Sequence, residues 1–233
     1  MPVALLGSVL SKRLMQVPQV LRIQTDEPFF SMTFDDGPDP EGTPIVLEAL
    51  ARIGARATFF VIGEKVLRHP DLVRAMVRDS HEVGNHSYTH LYFLKARDGE
   101  ILRQIDLAQY AVFDACGVMP KLFRAPHGRV TQHQLAMLTY NRPVTPCYWS
   151  VDAKDWRDHD AELVTSRIIE ATSQGDIVIG HDTLACSVAG SIAALQDLSD
   201  RGLSSVPVSE LLGKGAIEYL TQSQLPGRNM AEA

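Results

Sequence analysis

Residues 28–54 read PFFSMTFDDGPDPEGTPIVLEALARIG, and this stretch decides the fold. An apolar run over 28–34 precedes a turn rich in Asp, Gly and Pro, and apolar residues then recur at helical spacing over 44–53. The same order of strand, turn and helix repeats along the chain. Strands that alternate with helices predict a mainly parallel α/β sheet, either open or closed into a complete or incomplete barrel.

The rest of the chain extends this pattern on both sides. We predict further strands over 57–62, 82–84, 122–125, 144–151, 176–180 and 203–208, and further helices over 70–79, 99–116, 132–140, 161–172 and 188–198. Gly117 stands where a C-terminal cap of the third helix is expected. These elements make about seven β/α units. No repeat or linker divides them, so we predict one domain over 28–212.

The composition is that of an ordinary globular protein, with 45% hydrophobic and 21% charged residues among 233. A formal net charge of -6 and the lack of a long Lys/Arg run argue against nucleic acid as a partner. The cysteines, Cys116, Cys147 and Cys186, form no CxxC pair, which argues against a disulfide framework or a thiolate zinc site. No stretch approaches the ~20 apolar residues that span a bilayer, so we expect no transmembrane segment.

Segments 1–27 and 213–233 flank the predicted domain. Residues 2–10 are apolar and precede Lys12 and Arg13, whereas a signal peptide carries its positive charge before the apolar stretch. We therefore predict a short amphipathic helix docked on the body and a cytoplasmic protein. A weak membrane anchor, membrane-surface association and a missing export signal are the alternatives. The C-terminal segment, rich in Gln, Ser, Pro and Gly, is predicted to be loosely held.

Two adjacent carboxylates, Asp35 and Asp36, follow the first predicted strand in the sequence TFDDGP at 33–38. Parallel α/β folds place their active sites at the carboxyl ends of the strands, so this position indicates function. Asp, Gly and Pro are also common turn formers, and the motif alone is typical of a solvated turn. The choice between an active site and a solvated turn depends on which residues lie beside the TFDDGP motif.

Two histidines, His86 and His90, follow the third predicted strand in HSYTH at 86–90. Their spacing puts both imidazoles on one face of a helical turn, where they can chelate a divalent metal, although two surface histidines would show the same spacing. Zinc proteases carry a Glu beside the first His, where this chain has Ser87. One of the paired aspartates can complete a two-histidine, one-carboxylate site and leave the other as a base.

Three further segments follow at later strand ends: RAPHG at 124–128, DAKDW at 152–156 and IGHD at 179–182. Together, and in this order, the five segments resemble the polysaccharide deacetylase family, also called the NodB homology domain or carbohydrate esterase family 4. The resemblance runs from about Phe30 to Leu212, and TFDDGP followed by HSYTH is highly specific for it. It implies a distorted, incomplete (β/α) barrel, in agreement with about seven parallel strands.

The resemblance also implies roles for individual residues. Asp36, His86 and His90 would bind one divalent metal, usually zinc in the family, with cobalt or another divalent ion as alternatives. Asp35 would be the general base, held ionised and oriented by Arg124. His181 would be the general acid, hydrogen-bonded to Asp155, and Trp156 would form the wall of the pocket beside Ile179.

Two positions depart from the family pattern. The family commonly has Tyr where His127 stands, and the backbone N–H of this residue helps to hold the oxyanion; that role survives substitution, but the pocket wall changes. Gly180 stands where the family often has a larger residue. We expect this glycine to open room near the acyl group.

These residues predict a metal-dependent hydrolase that removes an N-acyl group, first of all N-acetyl, from an amino sugar in a polysaccharide, oligosaccharide or glycoconjugate. A deformylase or deacetylase of a lipid-linked amino sugar is the alternative within the hydrolases. A non-catalytic sugar-binding module would not need a base, an acid and metal ligands together. A structural zinc site is disfavoured as well, because three ligands with an open position suit catalysis better than a closed tetrahedron.

Overall fold

The computed structural model describes residues 17–221 and residue 224. Among these residues, eight parallel strands form the main sheet and two antiparallel strands form a small second sheet. The strands are β1 (Val20–Gln24), β2 (Phe29–Asp35), β3 (Thr58–Val61), β4 (Glu82–Asn85), β5 (Leu122–Phe123), β6 (Thr145–Pro146), β7 (Val151–Asp152), β8 (Ile177–His181), β9 (Ser204–Ser205) and β10 (Ala216–Tyr219).

Helices connect the strands of the main sheet. They are α1 (Gly42–Ile53), α2 (Gly63–Arg68), α3 (Pro70–Arg78), α4 (Asp98–Cys116), α5 (Gln132–Asn141), α6 (Asp155–Asp158), α7 (Ala161–Ala171), α8 (Ala185–Asp200) and α9 (Val208–Leu211). Three short 3₁₀ turns cover Phe93–Lys95, Pro126–Gly128 and Leu212–Lys214. Within the described residues no helix is both long and apolar enough to cross a membrane.

The strand order in the main sheet is β6-β5-β4-β3-β2-β8-β7, and β9 pairs with the beginning of β2. Seven parallel strands thus form a curled half-barrel with β2 near its middle, which confirms the predicted incomplete barrel. Asp35 at the end of β2 pairs in register with Phe60 of β3 and His181 of β8. The carboxyl ends of neighbouring strands therefore meet at one edge, as in other parallel folds.

Alternation along β2 separates two cores. Phe30, Met32 and Phe34 are fully buried in the larger cluster, which the helices cover. Thr33 and Asp35 face the other way, because both accept hydrogen bonds from the buried Arg124. Successive residues of a strand point to opposite faces, so the polar residues of β2 lie on the inside of the half-barrel.

Two segments near the limits of the described residues pack together where no strand was predicted. β1 pairs antiparallel with β10, and Tyr148 N–H donates to the carbonyl of Val20 at 2.7 Å. The prediction of a loosely held C-terminal segment is therefore wrong over Ala216–Tyr219. Its partner strand lies almost the whole chain away, beyond the reach of a local pattern. The helix predicted within residues 2–13 lies outside the described residues.

Candidate metal centre and active site

The loops after β2 and β4 bring one carboxylate and two imidazoles together. Asp36 Oδ1 lies 3.4 Å from His86 Nε2 and 3.2 Å from His90 Nε2. One ligand atom from each residue falls within 4.8 Å of the others. Residues 86–90 do not form the predicted helical turn, because Ser87 has φ 64° and His90 has φ 57°, both in the left-handed region. Left-handed backbone at non-glycine residues is costly and concentrates at functional sites.

The three residues fit a divalent metal. Asp36 Oδ1 is buried and has no hydrogen-bond partner among the described residues, although it faces two imidazole nitrogens. In a tetrahedral zinc site with bonds of about 2.0–2.1 Å, neighbouring ligand atoms lie roughly 3.3 Å apart. The observed separations match this edge length. Three protein ligands leave a fourth position for water or substrate, as in catalytic zinc sites.

A hydrogen bond to the backbone fixes the orientation of His86. Its Nδ1 lies 2.8 Å from the carbonyl oxygen of Arg124, which can only accept, so Nδ1 carries the proton and Nε2 is left for the metal. Burial and the neighbouring His86 lower the pKa of His90 to about 4, which keeps its ring neutral. Burial acts to raise the pKa of Asp36, but the nearby imidazoles of His86, His90 and His181 outweigh burial and lower it. A neutral imidazole and an ionised carboxylate are the forms that bind metal.

Arg124 holds Asp35 from inside the half-barrel. The guanidinium is fully buried and donates from Nη1 to Asp35 Oδ1 at 2.8 Å and to Thr33 Oγ1 at 2.7 Å. Nη2 donates to the carbonyl of Tyr148 at 2.9 Å, and the group stacks 4.1 Å from the centre of the Phe60 ring. The other oxygen of Asp35 lies 3.7 Å from His86 Nε2. Asp35 thus lies beside the metal centre. Its Oδ1 is held by Arg124, and its Oδ2 is the oxygen that faces His86.

His181 and Asp155 form a second pair at the same edge. His181 Nδ1 lies 3.0 and 2.9 Å from the two oxygens of the buried Asp155. Burial lowers the pKa of His181, but the hydrogen bond and charge of Asp155 outweigh it and raise the pKa to about 9. Nε2 lies 4.0 Å from Asp36 Oδ2 and faces the metal centre. The imidazole is therefore a protonated donor at neutral pH.

The remaining predicted residues are His127, Ile179 and Trp156. The His127 ring lies 4.4 Å from the His90 ring and 5.3 Å from the Tyr92 ring, and His127 adopts φ 58°. Ile179 is buried on the same face of β8 as His181, and Trp156 follows Asp155 with a side chain that is 58% exposed. An exposed indole next to Asp155 in sequence is suited to a sugar, since an aromatic ring offers a flat apolar surface with a polar edge.

Gly180 lies elsewhere than expected. A Cβ at this position would come within 3.0 Å of Met32 Cε, 3.2 Å of Ser191 Oγ and 3.3 Å of Ser187 Oγ. Residue 180 therefore faces α8, on the opposite side of β8 from His181. The expectation that it opens room near the acyl group is wrong, because alternation along a strand turns it away from the site.

Three polar residues at the site were missed by the sequence analysis. Thr33 shares the Arg124 guanidinium with Asp35, and its place two residues before Asp35 on one strand face was the available signal. Lys65 donates from Nζ to the carbonyl of Asp36 at 2.8 Å. Asp182 is fully buried against Gly37 and accepts from Thr43 Oγ1. Lys65 stands in none of the five segments, and Asp182 ends the IGHD segment but was given no role.

Comparisons with known proteins point to one family. The sequence model of the polysaccharide deacetylase family matches residues 22–141. The peptidoglycan-N-acetylglucosamine deacetylase PgdA of Listeria monocytogenes is 35% identical over 199 residues, which cover 85% of this chain and 42% of that protein. A peptidoglycan-N-acetylglucosamine deacetylase of Bacillus cereus is 34% identical over 194 residues, which cover 82% of this chain and 91% of that protein.

A solved structure agrees as well. The peptidoglycan deacetylase PdaC of Bacillus subtilis superposes with a TM-score of 0.74 at 30% identity, over 79% of this chain and 91% of that one. The chain spans less than half the length of the Listeria relative. The match to the family model covers half of the sequence, and the relatives and the shared fold extend it over most of the rest. On these grounds the chain belongs to the polysaccharide deacetylase family.

Proposed function

We propose that this protein is a metal-dependent hydrolase that removes the N-acetyl group from an amino sugar. The observation that carries the proposal is the meeting of three functions at one edge of the sheet. A metal-binding trio formed by Asp36, His86 and His90, an Arg124-bound carboxylate at Asp35 and a charged imidazole at His181 all lie around Asp36. Metal-dependent amide hydrolysis uses a metal to activate water, a base to take its proton and an acid for the leaving amine.

Asp36, His86 and His90 would hold the divalent metal, for which we propose zinc. When bound, such an ion polarises a carbonyl group and lowers the pKa of a bound water from 15.7 to about 7. Asp35 accepts the proton of the attacking water. Arg124 occupies Oδ1 of Asp35, so Oδ2, on the side of His86, is the oxygen free to take the proton.

Two further groups act as the carbonyl carbon becomes tetrahedral. The backbone N–H of His127 stabilises the negative charge on the carbonyl oxygen, a contribution of about 3 to 4 kcal/mol per donor in other hydrolases. His181 then donates its Nε2 proton to the leaving amine. Asp155 keeps His181 charged and fixes its ring, so the acid stands ready before the C–N bond breaks.

The names of the relatives support an N-acetylglucosamine residue of peptidoglycan as the substrate. Chitin oligomers and lipid-linked amino sugars are the competing glycans, and formyl is the competing acyl group. The exposed Trp156, which follows Asp155 in sequence, is consistent with any of these sugars. A cytoplasmic location stays a prediction from the order of charge and apolar residues near the N-terminus. Such a location favours peptidoglycan fragments over the assembled wall, and cell fractionation tests it.

An acyl-release assay tests the proposed function. The full chain is loaded with zinc or cobalt and offered peptidoglycan fragments, chitin oligomers, N-acylated monosaccharides and lipid-linked amino sugars, and acetate and formate are measured separately. We expect acetate from a peptidoglycan fragment, and release from the Asp35→Asn variant that is slower by on the order of 10²-fold or more. Binding of these sugars without release of either acid would instead make the protein a sugar-binding module.

A further inference from the structure

Ser187 contacts both members of the acid pair. It lies in the first turn of α8 and is fully buried. Its Oγ accepts a hydrogen bond from the backbone N–H of His181 at 2.9 Å. The same N–H donates to Asp155 Oδ2, also at 2.9 Å. Ser187 Oγ and Asp155 Oδ2 therefore accept from the same backbone N–H.

The shared donor leaves the hydroxyl hydrogen of Ser187 available to the neighbouring carboxylate of Asp155. A serine hydroxyl has one hydrogen to donate, and its oxygen already accepts from His181. Burial acts to raise the pKa of Asp155, but hydrogen bonds from His181 and Ser187 outweigh it and lower that pKa. Ser187 thus ties the carboxylate to the same strand end that carries the imidazole.

Gly180 makes this contact possible. A methyl group there would lie 3.3 Å from Ser187 Oγ and 3.0 Å from Met32 Cε, closer than carbon atoms normally pack. The missing side chain lets the first turn of α8 approach β8. The departure at Gly180 is therefore linked to the acid pair through Ser187.

Ser191 provides a matched comparison one helical turn later. It is equally buried, and its Oγ would lie 3.2 Å from a Cβ at residue 180. Within the described residues, its hydroxyl has no hydrogen-bond partner. The two serines share a helix face and burial, and they differ in contact with the acid pair.

We propose that Ser187 is a positioning residue that holds Asp155 and thereby orients the His181 imidazole for proton donation. The proposal rests on the proposed function, since it assigns a role within the same site. In the step concerned, the C–N bond breaks, its electron pair goes to nitrogen, and the proton moves from His181 Nε2 to that nitrogen. His181 is left neutral, and Ser187 undergoes no covalent change.

The leaving group separates this role from a general structural one. An amine needs the proton to depart, whereas a phenolate leaves without it. A misaligned imidazole therefore slows amide hydrolysis and leaves aryl acetate hydrolysis nearly unchanged. Loss of fold or of metal would slow both reactions alike.

The experiment compares Ser187→Ala with Ser191→Ala on an N-acetylated sugar and on an aryl acetate, with zinc content and thermal unfolding measured for each protein. We expect Ser187→Ala to lose about 10-fold in kcat on the amide and less than about 2-fold on the ester, in line with the loss of one oriented hydrogen bond. Ser191→Ala should lose less than about 2-fold on both. Equal losses on both substrates, or no loss on the amide, would overturn the proposal.

Two further variants cover the case in which Ser187→Ala does not fold. Ser187→Cys keeps the size but donates weakly, and Gly180→Ala leaves the hydroxyl intact and crowds it. We expect both to lose more on the amide than on the ester. A loss confined to the ester, or equal losses, contradicts the role.

A spectroscopic measurement keeps this inference apart from the proposed function. In protein labelled with ¹⁵N-histidine, the Nδ1 proton of His181 in its bond to Asp155 gives an ordered proton signal that His181→Ala identifies. We expect Ser187→Ala to broaden or shift this signal and Ser191→Ala to preserve it. A wild-type protein that releases no acetate refutes the proposed function, whereas an unchanged signal in Ser187→Ala refutes the positioning role.

Discussion

Asp35 and Asp36 are neighbours in sequence, yet both reach the same site. Along a regular strand they would point to opposite faces. Asp36 instead adopts φ 72°, which turns its carboxylate back toward His86 and His90. One carboxylate thus serves as a metal ligand, while the other stays on β2 under the guanidinium of Arg124. The left-handed backbone at Asp36 therefore lets two neighbouring aspartates take different roles in one site.

The first prediction concerns Asp35 as the base. Asp35→Asn cannot accept a proton but keeps the shape of the side chain, so zinc content should stay near one per chain. We expect kcat to fall on the order of 10²- to 10⁴-fold, the range of general base catalysis. Asp36→Asn is the comparison, and it should lose the metal instead. A kcat near that of the wild type would show that another group takes the proton.

The second prediction concerns His181 as the acid. His181→Ala should lose on the order of 10²-fold or more in kcat on an N-acetylated sugar, and much less on an aryl acetate. The reason is the leaving group, since a phenolate needs no proton. Steady-state kinetics on both substrates provide the measurement. Equal losses would assign His181 a structural or metal-supporting role and direct the search for the acid to His127.

The third prediction concerns the buried Asp182. Burial raises the pKa of its carboxyl to about 7, although Thr43 donates to one oxygen and opposes the shift. The other oxygen has no hydrogen-bond partner in the described part of the chain. A carboxyl with a raised pKa in the folded state contributes stability that is complete below pH 3.8 and is lost as the pH rises through about 7.

Asp182→Asn mimics the protonated form at every pH. We therefore expect the variant to gain on the wild type between pH 4 and pH 8, by an upper limit of about 4 kcal/mol for a pKa difference of this size. Urea unfolding of both metal-free proteins at several pH values measures this difference. Parallel stability curves for the two proteins would show that Asp182 does not titrate in this range.

At the scale of single elements, the sequence predicts those that carry their own signals. α4 ends at Gly117 in the left-handed cap, as its sequence indicates. α5 begins with a capping box between Thr131 and Gln134, and its predicted span is correct to one residue. Such elements are set by residues within one or two turns of each other.

Elements set by distant contacts were missed. β1 and β10 join residues 20–24 to residues 216–219, and no local pattern reports that pairing. The predicted strand over 144–151 is two short strands, because its first part pairs with β5 and its last part with β8. The mistake at Gly180 was avoidable, since alternation from His181 already places residue 180 on the helix side.

The fourth prediction concerns strand β4, which leads into the metal-binding loop. A Cβ on Gly84 would lie 2.5 Å from the Phe60 ring, and Phe60 in turn stacks on Arg124. Gly84→Ala should therefore destabilise the protein by about 1–3 kcal/mol, the usual cost of overpacking. For a protein of this size, the melting temperature should fall by about 2–4 °C per kcal/mol.

Gly99 offers the matched control for this prediction. It lies in the first turn of α4, and a Cβ there would meet nothing within 4 Å among the described residues. Gly99→Ala should be neutral or stabilising by up to about 1 kcal/mol, because alanine favours the helix. If the two substitutions shifted the melting temperature equally, the close approach of β4 to Phe60 would not be what restricts residue 84.

At the scale of the whole molecule, the half-barrel brings distant segments to one edge. Asp36, His86, Arg124 and His181 are spread over about 145 positions of sequence, yet they lie at the carboxyl ends of β2, β4, β5 and β8 in one parallel sheet. The order of motifs indicated this convergence because parallel strands end at the same edge. Distances within the edge depend on the register of β2 against β3 and β8, which comes from packing across the whole sheet.

The last prediction follows from this convergence. The loops after β2 and β4 supply the three metal ligands, and an unfolded chain holds no such site, so metal binding must stabilise the folded state. At a free zinc concentration of a thousand times Kd, the gain is about 4 kcal/mol. For a protein of this size, the melting temperature should then rise by about 8–16 °C.

Calorimetry of chelator-stripped protein with and without added zinc measures this rise, together with the zinc content. The His86→Ala, His90→Ala double variant should lose both the bound metal and the rise. His133→Ala should keep both, because His133 is an exposed histidine that pairs with Asp98 away from the site. A double variant that still gained stability and bound zinc would place the metal on other residues. The loops after β2 and β4 would then owe their close approach to the sheet alone.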